Sequence, residues 1–352
     1  MSSIKGRGAA SNPEGRFESV RREPVDDGWF PGEADEPARP ATTVTEERAR
    51  SIIARNDSPD IPFEQSINPY RGCEHGCVYC YARPSHGYLN LSPGLDFETK
   101  LFAKTNAAER LREALAKRGY RPSPINLGAN TDPYQPIERR YRITRALLEV
   151  LAEARHPCTI ITKSAMVERD LELLAELARD DLVAVLVSVT SLDNRLSAKL
   201  EPRASAPQRR IAAIRRLSEA GIPVGVLVSP VIPMVTDVDL EEILARARAA
   251  GARQASYAVI RLPHEVADLF REWLALHFPE RAEHVMSLVR QMRGGRDNDS
   301  GFGTRMRGEG VFAELIARRF KVATRRLGFA VGESFALRRD LFRAPTPQAS
   351  LF

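Results

Sequence analysis

From about residue 61 onward, the chain alternates two kinds of hydrophobic pattern. Short runs rich in β-branched residues indicate buried strands, and longer segments with apolar residues three and four positions apart indicate amphipathic helices. The predicted strands are residues 66–70, 125–129, 158–162, 183–189, 224–231 and 254–260. The predicted helices are residues 107–117, 144–154, 169–178, 207–219, 239–249 and 266–277. This alternation is typical of βα units around a parallel sheet.

About six consecutive βα units predict an α/β fold, a right-handed and partly open (βα)6 barrel of the TIM type. We expect the barrel core at residues 59–280. Gly221 and Gly251 follow two of the predicted helices, where glycine commonly ends a helix. In barrels of this kind the loops that leave the C-terminal ends of the strands carry the chemistry.

The alternation is absent from both ends of the chain. Residues 1–58 combine glycine, proline, serine and mixed charge with almost no periodic apolar residues, which predicts a disordered tail. Residues 281–343 are predicted to form a helical, basic extension. Its glycine-rich segment 294–310 carries an Arg-Met-Arg motif that could clamp phosphate groups, although a solvated surface loop fits the same composition. Residues 344–352 are predicted to be a flexible tail.

Composition limits the classes of protein that need to be considered. The chain has 352 residues and is 43% hydrophobic, enough for a sizeable core. No uninterrupted apolar run approaches the ~18 residues of a membrane span. The net charge of +6 permits a polyanionic partner without requiring one. Four cysteines and no secretory segment at the start of the chain predict reduced thiols in the cytoplasm.

Three of the cysteines lie in one short loop. Cys73, Cys77 and Cys80 follow the first predicted strand with the spacing C-x3-C-x2-C. Iron–sulfur clusters normally take four cysteine ligands, so three thiolates leave one iron free for an exchangeable ligand. A zinc site completed by His75 or His86 is the alternative, although structural zinc sites usually pair two chelating arms and no second arm is visible.

With Tyr79 directly before the third cysteine, this loop resembles the signature of the radical S-adenosylmethionine (radical SAM) enzymes. The resemblance implies a [4Fe–4S] cluster held by the three cysteines. It also implies that the free iron binds S-adenosylmethionine (SAM), which is cleaved to methionine and a 5′-deoxyadenosyl radical. A reductant such as flavodoxin or ferredoxin is expected as a partner. The cofactors carry the difficult chemistry in such enzymes, and the protein binds and orients them.

Within that superfamily, residues 62–260 resemble the spore photoproduct lyase-like proteins, often labelled DNA repair photolyases. The likeness is strongest at residues 68–83 and 126–138. It implies a lyase-type reaction on a DNA base. It also implies SAM contacts from four residues, with Tyr79 against the adenine. The four matching residues are Thr131, Lys163, Ser188 and Thr190.

One position departs from the lyase pattern. Spore photoproduct lyase carries a cysteine, the hydrogen-atom donor to the product radical, two residues before the residue that matches Thr131. Ala129 occupies that position here, and Cys158 opens its predicted strand, at the end away from the chemistry. Tyr81, beside the cysteine loop, is therefore the candidate hydrogen donor, and strict thymine-dimer reversal does not follow from the resemblance.

A second resemblance lies at the C-terminus. The last five residues, Gln348-Ala349-Ser350-Leu351-Phe352, resemble the bacterial sliding-clamp binding motif, with alanine in place of the favoured leucine. Leu351 and Phe352 could insert into an apolar pocket while Gln348 supplies a directional hydrogen bond. Such binding would deliver the protein to replicating or repaired DNA.

The sequence therefore predicts a radical SAM enzyme that acts on a DNA base. Two alternatives remain open. One keeps the radical chemistry but modifies RNA, a peptide or a small molecule. The other is a zinc-stabilised nucleic-acid-binding protein without catalysis.

Overall fold

A computed structural model describes residues 4–17, 40–330 and 335–345. Its strands are β1 (Thr43–Glu47), β2 (Ala54–Arg55), β3 (Gln65–Ile67), β4 (Tyr70–Arg71), β5 (Lys100–Lys104), β6 (Ile125–Leu127), β7 (Cys158–Thr162), β8 (Val183–Ser188), β9 (Val224–Val231) and β10 (Gln254–Val259). Its α-helices are α1 (Leu95–Thr99), α2 (Ala107–Leu115), α3 (Glu138–Tyr141), α4 (Ile143–Glu153), α5 (Leu171–Arg179), α6 (Asn194–Leu200), α7 (Pro207–Glu219), α8 (Leu240–Ala249), α9 (Val266–His277), α10 (Ala282–Gln291) and α11 (Gly310–Leu327). Short 3₁₀ helices lie at Arg83–Leu89, Ala165–Asp170 and Asp237–Asp239.

Six parallel strands form the larger sheet in the order β3, β6, β7, β8, β9, β10, with β2 antiparallel to β3 at one edge. Each of the six strands pairs with the next one along the chain, and helical segments connect them. This is the topology of a partial (βα)6 barrel. The predicted α/β class is confirmed. A second, three-stranded sheet contains β1, β5 and β4.

The central strands are buried on both faces, because helices cover one side and the barrel interior the other. In β8, Val183, Val185 and Val187 are fully buried, and so is Ala184 on the opposite face. A strand enclosed in this way consists of an almost continuous apolar run, which explains why the hydrophobic pattern located β7 and β9 with their observed bounds. The bounds of α7 and α9 also match the prediction.

The first predicted strand, residues 66–70, is wrong in its second half. β3 ends at Ile67, and β4 instead pairs with β5 in the smaller sheet. Pro69 lies between the two strands and has no backbone N–H to donate to a ladder. The chain therefore leaves the barrel sheet before the cysteine loop begins.

Part of the predicted disordered tail has ordered structure. β1 pairs in parallel with β5, and residues 8–17 lie against α1 and α9. These contacts are largely hydrogen bonds and ion pairs, which a search for apolar periodicity does not detect. Residues 1–3 and 18–39 lie outside the described residues, and the division of the chain into domains otherwise stays a prediction.

The C-terminal extension contains α10 and α11, as its helical pattern predicted. α11 packs on β10, where the rings of Phe320 and Tyr257 lie 4.6 Å apart. The buried guanidinium of Arg293 donates to the carbonyl oxygens of Val259 and Ile260, so the loop after α10 is fixed to the end of the last strand. None of the described helices is both long and apolar enough to cross a membrane. The predicted sliding-clamp motif lies outside the described residues.

Candidate active site

The cysteine loop follows β4 and is shaped by two glycines. Gly72 and Gly76 have φ values of +72° and +67°, in the left-handed region that favours glycine. Within this loop Cys73 and Cys77 are buried and Cys80 is half-buried, and all three thiols are free of disulfides.

The three thiols face one another and are hard to ionise without a cation. Burial raises the pKa of Cys73, Cys77 and Cys80. The negative charges that Cys77 and Cys80 would carry as thiolates raise the pKa of Cys73 further. Metal binding stabilises the thiolate and releases the proton. Three buried, mutually close thiols without another partner fit the protein side of an iron–sulfur cluster.

The two histidines of the zinc alternative are engaged elsewhere. Nδ1 of His75 lies 3.3 Å from Oδ2 of Asp132. Nε2 of His86 lies 2.9 Å from the carbonyl oxygen of Lys100, and its ring packs edge-on against Phe97. In the part of the chain that the structure describes, no three His, Cys, Asp or Glu side chains form a group that could hold a single metal ion. One ring nitrogen of each imidazole is therefore occupied, and the described residues do not group either imidazole with the cysteines around one metal position.

A buried arginine, Arg83, binds the backbone of the cysteine loop. Arg83 is fully buried, and its Nε donates to the carbonyl oxygen of Cys77 at 2.9 Å. One terminal nitrogen donates to the carbonyl oxygen of Gly76 at 3.2 Å and to the Glu98 carboxylate at 2.5 Å. Because these bonds fix the backbone oxygens of Gly76 and Cys77 and join them to Glu98, Arg83 sets the loop conformation around the second cysteine. Sequence reasoning missed this residue, although an arginine three positions after Cys80 was available as a signal.

Glu98 also binds the N-terminal part of the chain. Its two carboxylate oxygens accept the backbone N–H groups of Gly8 at 3.0 Å and Ala9 at 2.9 Å. Gly8 lies so close to the cysteine loop that a Cβ atom there would be 1.8 Å from the carbonyl oxygen of Gly76. We call residues 8–17 the N-terminal strap.

Beyond Gly8 the strap crosses to the helix that follows the last barrel strand. The Ser11 hydroxyl donates to Glu272 at 2.6 Å, and Arg16 pairs with Glu265 at 3.2 Å, both on or beside α9. Asn12 exchanges two hydrogen bonds with Asp96 of α1. The strap therefore links the cysteine loop to the two ends of the open barrel.

Four of the predicted SAM contacts meet in one polar group that also contains Glu201. We call these residues, Tyr79, Lys163, Ser188, Thr190 and Glu201, the Lys163 cluster. The Lys163 ammonium donates to the Ser188 hydroxyl at 2.8 Å and lies 5.9 Å from the centre of the Tyr79 ring. The Tyr79 hydroxyl donates to Glu201 and lies 3.4 Å from Oγ1 of Thr190. Thr190 in turn donates to Glu201 at 2.6 Å. Lys163 follows β7, Ser188 and Thr190 lie at the end of β8, and Tyr79 belongs to the cysteine loop, so the barrel fold brings them together.

Glu201 is the charged centre of that cluster. It is 2% exposed, hydrogen-bonds to the Arg210 guanidinium and lies 4.0 Å from the Lys163 ammonium. Although burial opposes ionisation, these two cations lower the pKa of Glu201 to about 2. The side chain is a carboxylate at neutral pH and orients Tyr79 and Thr190.

Thr131 lies outside the Lys163 cluster. Its hydroxyl donates to the carbonyl oxygen of Tyr70 at 2.9 Å, and its backbone N–H donates to Asn68 at 3.3 Å. The next residue, Asp132, accepts from the Thr162 hydroxyl and the Lys163 backbone N–H, both at 2.7 Å. Residues 131–132 therefore tie the cysteine loop to the ends of β6 and β7.

Tyr81 occupies the open side of the cysteine loop. Its side chain is 45% exposed, and its hydroxyl donates to the carbonyl oxygen of Ala129. The guanidinium of Arg261 lies 5.3 Å from the centre of the Tyr81 ring. The structure thus places a phenol at the backbone position where the lyase pattern has its cysteine.

A family model described as the radical SAM superfamily matches residues 67–247, just over half of the chain. The chain belongs to the radical SAM superfamily. Enzymes of this superfamily bind a [4Fe–4S] cluster and SAM, and the free, buried thiols of the cysteine loop fit that cluster.

The related proteins and structures extend over most of the chain. A Mycobacterium tuberculosis protein whose name assigns no function is 37% identical over 284 residues, which cover 78% of this chain and 84% of that protein. A radical SAM Nalpha-GlyT isomerase of a Pseudomonas phage is 28% identical over 240 residues, 66% of this chain and 48% of that protein. Spore photoproduct lyase complexed with dinucleoside spore photoproduct has a TM-score of 0.58 at 16% identity and covers 81% of this chain and 80% of that one. At that identity the likeness shows a shared fold.

The close contact between the strap and the cysteine loop predicts that a substitution at Gly8 makes the iron–sulfur cluster more sensitive to air. In Gly8→Ala the new methyl group would collide with the Gly76 carbonyl oxygen, so the strap must move away from the cysteine loop. We expect the cluster absorbance near ~400 nm to bleach several times faster in air than in the unaltered protein, measured after identical anaerobic reconstitution.

Gly301→Ala is the matched control, because a Cβ there would meet side-chain oxygens of Asp299 and Thr304, at 3.2 and 3.3 Å, and neither residue belongs to the strap. It should bleach at the unaltered rate. Equal bleaching rates for Gly8→Ala and Gly301→Ala would contradict a shielding role for the strap.

Proposed function

We propose that this radical SAM enzyme acts on a base in DNA, in a lyase-type reaction. The observation that carries the catalytic part is the position of the cysteine loop beside the Lys163 cluster, at the C-terminal ends of the barrel strands. Cys77 lies close enough to Lys163 and Glu201 for their charges to affect its pKa. A ligand bound to an iron at this loop would therefore reach the Lys163 ammonium.

The cysteine loop and the Lys163 cluster have complementary roles in this proposal. Cys73, Cys77 and Cys80 would hold the [4Fe–4S] cluster, and the Lys163 ammonium would pair with the SAM carboxylate. Lys163 has three donors, and Ser188 accepts one of them, so donors remain for a charged ligand. When bound, the cluster and SAM supply a 5′-deoxyadenosyl radical that abstracts a hydrogen atom from the substrate.

Hydroxyl and aromatic side chains complete the binding of SAM. We assign Ser188, Thr190 and Thr131 to the polar atoms of the methionine and ribose, and Tyr79 to the adenine. Glu201 keeps Tyr79 and Thr190 in place through the hydrogen bonds described above. Tyr79 is 8% exposed, so a small part of its side chain is open to a ligand.

The choice of a DNA base rests on related proteins and on charge. The structural neighbour is named as bound to a dinucleoside photoproduct, and the phage relative is named as a radical SAM isomerase. The net charge of +6 suits a polyanion. To reach a base in a duplex, an enzyme must extrude it from the stack, so a single-stranded or distorted substrate is favoured.

Tyr81 is the proposed hydrogen donor to the product radical. Its hydroxyl lies at Ala129, the position of the cysteine donor in the lyase pattern, and it is partly open to the barrel mouth. A phenol O–H can give up a hydrogen atom as a thiol does. This assignment accounts for the missing cysteine without requiring Cys158, which is buried at the start of β7.

Anaerobic reconstitution tests the proposed function. With iron, sulfide, dithionite and SAM, we expect a brown protein with a broad absorbance near ~400 nm that forms 5′-deoxyadenosine. Adding thymine-containing oligonucleotides, intact or ultraviolet-irradiated, should yield an altered base detectable by mass spectrometry. A colourless zinc protein would contradict the enzyme assignment, and turnover of RNA or peptide alone would contradict the DNA assignment.

Tyr81→Phe separates radical generation from product formation. The variant keeps the ring and loses the O–H, so 5′-deoxyadenosine formation should persist while the altered base forms about tenfold more slowly with the oligonucleotide that the unaltered enzyme converts. Tyr88→Phe is the control, since Tyr88 is 72% exposed on the 3₁₀ helix after the loop. An unchanged ratio of altered base to 5′-deoxyadenosine in Tyr81→Phe would exclude Tyr81 as the donor.

A further inference from the structure

Arg261 is a half-buried guanidinium that forms no ion pair with a carboxylate of the described residues. It follows β10 by two residues, at the C-terminal end of the last barrel strand, and stacks on the Tyr81 ring. One terminal nitrogen makes a 3.5 Å contact with the sulfur of Met306, and Nε has no hydrogen-bond partner among the described residues. Burial lowers the pKa of Arg261, although the charges of Tyr81 and Asp60 act in the opposite direction.

The neighbouring arginines differ from Arg261 in that their terminal nitrogens or Nε have oxygen partners. Arg305 forms a 2.5 Å ion pair with Asp60, and Arg307 donates to the Tyr257 carbonyl oxygen at 2.9 Å. Arg293 donates to the backbone carbonyl oxygens beside it, as described above. An uncompensated, partly desolvated charge is unfavourable in the free protein, so the vacant donors of Arg261 are best explained by an anionic ligand.

An anchored aromatic side chain lies on the same side of the barrel. Phe302 is 61% exposed, and the Arg305 guanidinium lies 4.8 Å from the centre of its ring. The loop that carries Phe302 is held at Gly303, whose backbone N–H donates to Asp60 at 2.7 Å. Arg305 also directly precedes Met306, whose sulfur lies 3.5 Å from a terminal nitrogen of Arg261. Phe302, Arg261 and Tyr81 thus belong to one contiguous surface, which we call the mouth.

We propose that Arg261 binds a backbone phosphate of a nucleic-acid strand whose target base enters the mouth beside Tyr81, and that Phe302 stacks on an adjacent base. A planar guanidinium binds a phosphate through two parallel hydrogen bonds, and exposed aromatic rings stack bases irrespective of sequence. This inference rests on the proposed function and specifies its substrate as an unpaired segment of a nucleic-acid strand.

The position of Arg261 argues against SAM as the anion. The SAM carboxylate already has a cation in Lys163, which lies in the polar cluster with Glu201 and Ser188. Arg261 instead faces Tyr81 on the open side of the cysteine loop, where the substrate would enter. A phosphate can belong to a strand or to a free nucleotide, and the experiment must distinguish these two sources.

Fluorescence anisotropy with a labelled single-stranded thymine oligonucleotide tests the inference. Arg261→Gln should weaken binding about tenfold and reduce the slope of log K against log salt by ~0.7, the value for one phosphate contact on a single strand. Phe302→Ala should weaken binding about tenfold and leave the slope unchanged, because stacking releases no counter-ions. Arg261→Lys should keep the slope and lose part of the affinity.

Arg253→Gln is the matched control. Arg253 is exposed at the opposite end of β10, and it should bind as the unaltered protein does. Unlabelled thymidine monophosphate should not displace the oligonucleotide at equal phosphate concentration. Displacement by the mononucleotide, or unaltered affinity in Arg261→Gln and Phe302→Ala, would overturn the inference.

An assay of SAM cleavage without DNA distinguishes failure of this inference from failure of the proposed function. The unaltered protein, mixed with SAM and dithionite, should form 5′-deoxyadenosine in the absence of DNA. If the unaltered protein forms no 5′-deoxyadenosine, the proposed function fails. If it forms 5′-deoxyadenosine while Arg261→Gln binds DNA normally, the proposed function stands and the role of Arg261 is rejected.

Discussion

The buried ion pair between Arg83 and Glu98 is the interaction on which the candidate site depends. Both side chains are fully buried, and together they bind the backbone of the cysteine loop and the N-terminal strap. Breaking a buried pair by removing one partner typically costs about 3–5 kcal/mol, because the remaining charge is left uncompensated. The pair therefore fixes the loop and the strap as one unit, and the three thiols are presented in a defined arrangement before any metal binds.

A second set of buried charges organises the other side of the loop. Glu201 is held ionised by Arg210 and Lys163, and it orients Tyr79 and Thr190. Such fixed charges in a poorly solvated site need no reorganisation when a ligand arrives. Two buried carboxylates thus lie near the cysteine loop. Glu98 binds Arg83 and the strap, and Glu201 binds Tyr79 and Thr190 of the Lys163 cluster. This division separates the residues that build the loop from those available to SAM.

Most of the barrel was predictable because β-strands buried on both faces consist of apolar runs, as in β7 and β9. Lys163, Ser188 and Thr190 were predicted from the resemblance to the spore photoproduct lyase-like proteins, and the fold brings them together because parallel strands end at the same edge of the barrel. The strap was not predictable in this way, because Gly8, Ser11 and Asn12 make polar contacts with residues about 80 to 260 positions away. The end of the first predicted strand before Pro69 could have been predicted, because proline has no N–H to donate to a sheet. The pairing of β4 in a second sheet could not.

The central claim is that Cys73, Cys77 and Cys80 hold a cluster with one iron left for SAM. Mössbauer spectroscopy of the anaerobically reconstituted protein, recorded with and without SAM, tests it most directly. The account predicts that one iron of the four changes its isomer shift when SAM binds, while the other three keep theirs. Spectra in which no iron responds to SAM, or in which all irons respond alike, would contradict it.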